Sequence, residues 1–359
     1  MFKDFADLAD RQIAGDHLSP EGARAVLSAS DTEVLGMVTA AARIRRAFFG
    51  DWVKVNCRVN LQSGLCPEDC AYCSQRVGSD AGMAIYSWLT PAEAAREAAA
   101  GIRAGASRIC LAAGERAPDR CDVDRVAAVA RLLKAEHPGV EICAFLGVLG
   151  DGQAIRLKAA GVDAYGHDIN SGQPSHPETR STPCGADRAA IDTARAAGLV
   201  ACYGLTVSMG ESDDDVIEKI FAVRDLGSES IPVDFPMPFD GAPPADTWLL
   251  NPMRCLRILT MARFACPAAD IWMADGREMH LRTLQPLALH VANSLFLGDY
   301  EGTDAPAAKT DLEMIADAGC RVMPCRDDTG HHTLNEGPVL AAVRPRRVGS
   351  AAKRPTPFP

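Results

Sequence analysis

The fold predicted by the sequence is an α/β fold, a (β/α)8 TIM-type barrel in which eight parallel strands close inside a ring of helices. Three observations carry this. Short apolar runs rich in β-branched residues recur at 53–61, 107–112, 140–148, 162–168, 199–207, 231–236, 270–274 and 291–297, which is the signature of strands. Between them lie longer stretches, Pro91 to Gly105 and Val123 to Glu136 among them, with apolar residues at helical spacing. Gly105, Gly139, Gly161 and Gly198 stand just before the next run, where a left-handed residue ends a helix. Strands alternating with helices build parallel β-α units, and eight units in about 250 residues match the barrel. An open doubly wound sheet competes, but no G-x-G-x-x-G follows a strand to support it.

Taken in order, residues 1–50 read as an N-terminal helical cap. Ser19-Pro20-Glu21 and Ser30-Asp31-Thr32-Glu33 are helix starts, and Arg43, Arg45 and Arg46 read as a solvated face. The barrel occupies residues 51–320, with Lys309 to Ala318 as one more helix. From 325 to 359 the chain is rich in Pro, Gly and basic residues and reads as a disordered tail, with Arg344, Arg346 and Arg347 as solubilising charges.

Composition bounds the function. The chain has 359 residues, 47% hydrophobic and 23% charged, enough for a substantial core. A net charge of −10 argues against nucleic acid or an anionic membrane as partner. The first fifteen residues mix charge with apolar residues, so neither a signal peptide nor a membrane span is predicted. Thirteen cysteines without an export signal read as metal ligands or reduced thiols, which predicts a reducing cytoplasm.

Three of those thiols, Cys66, Cys70 and Cys73, stand in eight residues as C-x3-C-x2-C. A loop this short can aim three thiolates at one point, and thiolate selects iron–sulfur clusters, Zn or Cu(I). Structural Zn prefers a C-x2-C answered by a second pair, and none follows. Ferredoxin-type clusters take four Cys, so three leave one metal corner for a small molecule. Three further cysteines lie within predicted strands: Cys110, Cys143 and Cys202. Each alone packs readily as a small hydrophobe. Together, on the second, third and fifth strands at comparable depth, they converge in the lumen if all point inward. Cys57, Cys255, Cys266, Cys320 and Cys325 show no metal-like spacing and read as packing or surface thiols.

The spacing C-x3-C-x2-C, with Tyr72 before the third Cys, resembles the radical S-adenosylmethionine (SAM) enzymes, and the string CPEDCAYCSQ resembles the biotin synthase family. The resemblance implies a [4Fe–4S] cluster on Cys66, Cys70 and Cys73, with SAM on the fourth iron. It also implies an auxiliary [2Fe–2S] cluster on Cys110, Cys143 and Cys202 that donates sulfur to dethiobiotin. An electron donor such as flavodoxin or ferredoxin and a homodimer belong to the same expectation.

Further positions follow the family pattern with changes. Tyr165-Gly166-His167-Asp168-Ile169-Asn170 stands where the family has Y-N-H-N-x-D, which makes Asp168 and Asn170 candidates for the ribose of SAM, and Asp168 also for the substrate. Glu211 ends a GLTVSMGE run similar to one that approaches adenosine, and Arg188 is a candidate for the SAM carboxylate. Asp234 replaces the asparagine that meets the ureido ring; a carboxylate there accepts two N–H bonds but also suits a cationic amine, the alternative substrate class. The largest departure is Trp272, where the family has an arginine ligand to the auxiliary cluster. Arg277, further along the string, is not that position. Either the auxiliary cluster takes a different fourth ligand or its type differs from the family's; one of Cys121 and Cys184, expected in loops on or near the catalytic side, is the proposed substitute.

Overall fold

The computed structural model describes residues 4–70, 72–114, 117–168, 184–207, 211–237, 250–298 and 305–325, with backbone alone at 151, 168, 184–188 and 305–306. The expected tail lies outside these residues from 326 onward.

Three helices come first: α1 (Phe5–Ile13), α2 (Pro20–Leu27) and α3 (Val34–Phe49). Ser19 caps α2, its side chain accepting from Gly22 N, with Pro20 in the first turn. These helices pack on one another and on the barrel helices Asp213–Asp225 and Pro252–Ala265. The solvated face expected of Arg43, Arg45 and Arg46 is corrected at Arg45, which is buried and donates to the carbonyls of Gly50, Trp52 and Ala292. Those acceptors are backbone groups at the barrel floor, so the guanidinium fastens the cap to it.

The barrel then runs β1 (Trp52–Asn60), α4 (Pro91–Arg103), β2 (Arg108–Ala112), α5 (Arg120–Glu136), β3 (Glu141–Phe145), α6 (Asp151–Ala159), β4 (Ala164–Asp168), α7 (Cys184–Ala196), β5 (Val200–Thr206), α8 (Asp213–Asp225), β6 (Ser230–Asp234), α9 (Pro252–Ala265), β7 (Asp270–Met273), the short α10 (Arg277–His280) and α11 (Gln285–Ala288), β8 (Ser294–Phe296), and α12 (Ala305–Asp317). Every neighbouring pair is parallel, and β1 pairs with both β2 and β8, which closes the sheet. A two-residue strand that the sequence did not signal, β9 (Arg321–Val322), runs beside the start of β1.

The expected punctuation holds at Gly105, Gly161 and Gly198, all with positive φ. Gly139 differs: α5 stops at Glu136, His137 leaves the helix at φ −135° and ψ 68°, and Pro138 ends the helix without a left-handed cap. The eighth strand is shorter than the apolar run 291–297, because Val291 and Ala292 complete the turn after α11. Arg277 is a structural anchor. It is buried, pairs with Asp311 of α12 at 2.8 Å, and donates to the carbonyls of Phe296 and Gly298. It thereby ties the end of β8 to the last helix.

Candidate active site

Two groups of thiols occupy the barrel, one at its mouth and one in its hollow. β1 delivers the first directly. After Asn60 the chain turns over the C-terminal ends of the strands, the face on which barrel active sites are built. Ser63 bridges Tyr86, and Cys66 bridges Arg76, its N–H donating to Gln75 O at 2.9 Å while Val77 N donates to Cys66 O at 2.9 Å. Cys73 N closes a turn on Cys70 O at 3.0 Å. Gln62 Nε2 reaches Gly114 O at 2.9 Å, tying the loop to the chain after β2. A Cβ on Gly114 would stand 2.6 Å from Cys66 Cβ and 2.9 Å from its Sγ, so only glycine lets the loop settle this close. Cys66 is buried, whereas Cys70 and Cys73 are half-buried. Three soft ligands on one loop fit a thiolate-held cluster with a corner left for a small molecule.

Cys110, Cys143 and Cys202 are wholly buried and lie in one cluster with Ala164, Trp272, Ala274 and Phe296. Cys110 and Cys143 face each other across the β2–β3 register. Burial pushes the Cys143 thiol well above its ordinary range, and the adjoining Cys110 and Cys202 thiols add to the push. Among the described residues no three His, Cys, Asp or Glu side chains close on a point tightly enough for a single metal ion. Thiolates spread around several irons require a wider arrangement.

Beneath the thiols is a layer of charge. Arg108 ion-pairs with Glu141 and donates to Ser230 Oγ at 2.9 Å, while Lys54 Nζ bridges Glu141 at 3.1 Å and Asp270 at 2.9 Å. Burial alone would lower the Arg108 pKa; Glu141, with Cys202, Cys143 and Asp270 nearby, holds it well above the ordinary value. Burial alone would raise Glu141, but Arg108 and Lys54 bring it down to about 2. A depressed folded-state pKa stabilises the protein above the unfolded carboxylate value and is lost as pH falls through the folded one. This network is therefore expected to contribute about 3 kcal/mol at neutral pH and to lose it between about pH 4.5 and 2. Denaturation midpoints of wild type and Glu141→Gln should converge over that window.

Trp272 stands where a metal-binding arginine was expected. Its indole N–H donates to Ser230 Oγ at 2.8 Å and its ring meets Phe296 edge-on at 5.3 Å, with the Arg108 guanidinium 4.9 Å from the ring centre. It packs the lumen and presents no lone pair. Cys121, expected in a loop and proposed as the substitute ligand, is corrected by the structure: it sits in the first turn of α5 and is exposed, away from the lumenal thiols. Cys184 begins α7, and its side chain is not described.

Above the thiols, Arg58 ion-pairs with Asp275 at 2.7 Å and lies 4.3 Å from the centre of the Phe296 ring. Asp275 N donates to Asp234 Oδ1 at 3.0 Å, which places half-buried Asp234 at the rim. Glu211 is buried just before α8 and pairs with Lys219 at 3.4 Å. Asp168 ends β4 beside Gly204, and Arg188 lies in α7; neither side chain is described, and Asn170 lies outside the described residues. Tyr72 is half-buried in the cysteine loop. Gly166 faces Phe145: a Cβ there would come within 1.9 Å of the ring. Gly166→Ala is expected to cost about 1–3 kcal/mol by overpacking and Phe145→Ala to recover most of it, a coupling that a double-mutant cycle measures.

Comparison with known proteins agrees with this geometry. Residues 62–222 match the radical SAM superfamily and residues 232–321 the biotin and thiamin synthesis associated domain. Among solved structures, the [FeFe]-hydrogenase maturase HydG from Carboxydothermus hydrogenoformans superposes with a TM-score of 0.75 at 15% identity, over 91% of this chain and 80% of that one. Methylornithine synthase superposes at 0.74 and 19%, over 88% and 97%; at these identities the likeness is one of fold. The fold and the cysteine loop thus define a radical SAM barrel enzyme, whose cofactors are a [4Fe–4S] cluster and SAM. Closer relatives narrow this further. The biotin synthase of Saccharopolyspora erythraea is 51% identical over 96% of this chain and 97% of its own, and that of Nocardioides sp. is 54% identical over 89% and 86%. The chain belongs to the biotin synthase family. Among the described residues no helix is long and apolar enough to cross a membrane.

Proposed function

We propose that this enzyme converts dethiobiotin to biotin, with Cys66, Cys70 and Cys73 holding the SAM cluster and Cys110, Cys143 and Cys202 holding an auxiliary iron–sulfur cluster. The observation that carries the reading is the gathering of three wholly buried thiols from β2, β3 and β5 in one lumen. When bound, the two clusters and SAM supply a carbon-centred radical and the sulfur it captures, chemistry beyond any side chain. The chain's own residues do the rest. Phe145, Phe296 and Ala274 wall the space above the thiols with apolar surface and exclude water. The Arg58–Asp275 pair and Asp234 offer the polar contacts at the rim where a ureido ring docks. Asp168, Asn170, Arg188, Glu211 and Tyr72 serve the bound SAM, and Asp168 also meets the substrate. Asp234 is already engaged by the Asp275 backbone beside an arginine, which weighs against a cationic amine as substrate. A flavodoxin or ferredoxin supplies the electrons to a cytoplasmic homodimer. Anaerobic reconstitution with reductant, SAM and dethiobiotin tests the reading by mass spectrometry: biotin and 5′-deoxyadenosine are the expected products, and 5′-deoxyadenosine without biotin overturns the substrate assignment.

A further inference from the structure

Two buried polar atoms beside the lumenal thiols have no partner among the described residues, and they are of opposite sense. Asn56 of β1 is wholly buried. Its Nδ2 donates to Ser294 Oγ at 2.7 Å and Leu295 O at 2.8 Å, both on β8, while its Oδ1 accepts from nothing. A carboxamide is planar, with its oxygen opposite its nitrogen. With the nitrogen committed to β8, the oxygen faces away from that strand, toward β2 and the lumen. The register neighbour of Asn56 on β2 is Arg108, whose Nη atoms are taken by Ser230 and Glu141 and whose Nε donates to nothing. An acceptor and a donor thus border one space without meeting, and a buried polar group left unpaired is costly.

That space adjoins the thiols. Barrel lumens are filled in layers drawn from alternate strands, and following the pairing register puts Asn56 of β1, Cys143 of β3, Cys202 of β5 and Trp272 of β7 in one layer. Of the groups around it, the indole N–H of Trp272 is a donor only and is spent on Ser230. Arg108 is a guanidinium paired with Glu141 and has no lone pair to give. The Ser230 hydroxyl oxygen already takes two N–H donors. Ser294 Oγ accepts from Asn56 and donates to the Lys54 carbonyl, so the acceptor of this layer that no described donor meets is Asn56 Oδ1.

We propose that Asn56 Oδ1 is the fourth protein ligand of the auxiliary cluster in this chain, with Arg108 Nε–H donating to one of its sulfurs. This rests on reading the three lumenal thiols as cluster ligands. An iron satisfies the orphan acceptor and a sulfur the orphan donor, so one inserted group removes both deficits. A neutral oxygen then takes the place that the family gives to an arginine, and the indole fills the volume that the arginine vacates.

The test uses the reconstituted full chain, made in an asparagine auxotroph fed asparagine labelled with 13C at Cγ. Iron and sulfide counts come first. If Cys143→Ala removes no iron, there is no auxiliary cluster and the underlying reading fails, whatever Asn56 does. With the cluster present and reduced, electron–nuclear double resonance is expected to show a 13C coupling that Asn60→Gln keeps and Asn56→Asp loses. Asn56→Asp should retain the auxiliary iron and shift its reduction potential negative, since a carboxylate adds charge where the amide had none. An auxiliary cluster in the wild type without 13C coupling, or a coupling that survives in Asn56→Asp, overturns the Asn56 assignment. The wild-type spectrum alone decides if Asn56→Asp fails to fold.

Discussion

Serine in place of Cys66 is expected to abolish reductive cleavage of SAM, lowering 5′-deoxyadenosine formation to the level of reductant without enzyme. The loss is on the order of 10⁶-fold or down to the detection limit, because the smallest rate enhancements of enzymes begin near that size. Cys66 is the decisive member of its loop. It is the buried thiol of the three, it sits against the bare backbone of Gly114, and its own N–H and C=O are fixed by Gln75 and Val77. Serine fits that space and leaves those bonds in place, so the fold should survive. What changes is the donor: an alcohol does not ionise as a thiol does and is a poor match for iron that prefers soft ligands. Unchanged thermal unfolding with lost 5′-deoxyadenosine separates the chemical effect from a structural one. A Cys66→Ser variant that still cleaves SAM at a comparable rate would move the cluster off this loop.

How much of this was legible in the sequence depends on whether the signal is local. The cysteine loop was readable because its meaning lies in spacing over eight residues. The three strand cysteines were readable because parallel β-α units set the depth of each strand in the barrel, and the structure gathers them as expected. The buried arginines were not. Arg45 takes acceptors from a chain segment 247 residues away, Arg277 takes Asp311 of α12, and Arg108 takes Glu141 and Ser230. A charge is buried only where a partner is waiting, and the partner is fixed by topology, so nothing beside Arg45 in the sequence separates it from Arg43, which pairs with Asp10 and stays exposed. Trp272 was legible as a departure and no further, since what replaces a missing ligand is settled by which other side chain is left with an unused lone pair. Asn56 sits in an ordinary strand pattern, and only its unpaired oxygen singles it out. Cys121 failed as a substitute for the same reason in reverse: the sequence offered a thiol, and the first turn of α5 exposed it.

Alanine in place of Cys143 is expected to split the reaction, keeping SAM cleavage within a few-fold of wild type while biotin falls below detection. The two thiol groups lie on different elements, one on the loop above β1 and one inside β2, β3 and β5, so losing a lumenal thiol leaves the Cys66 loop and its ties to Gln75 and Gly114 intact. Cys143 is the central choice because both Cys110 and Cys202 adjoin it. Its removal takes one buried atom from the core, at a cost of about 1 kcal/mol, similar to that of a lost methyl group, which a barrel of this size tolerates. Hydrogen abstraction from substrate then proceeds with nothing to capture the carbon radical, so 5′-deoxyadenosine should accumulate without a sulfur-containing product. The variant should also bind less iron than wild type while the SAM cluster remains, which gives the prediction a readout independent of turnover. If Cys143→Ala makes biotin at the wild-type rate, the sulfur does not come from the lumen. The buried thiols would then be packing residues and the charged layer beneath them a structural plug.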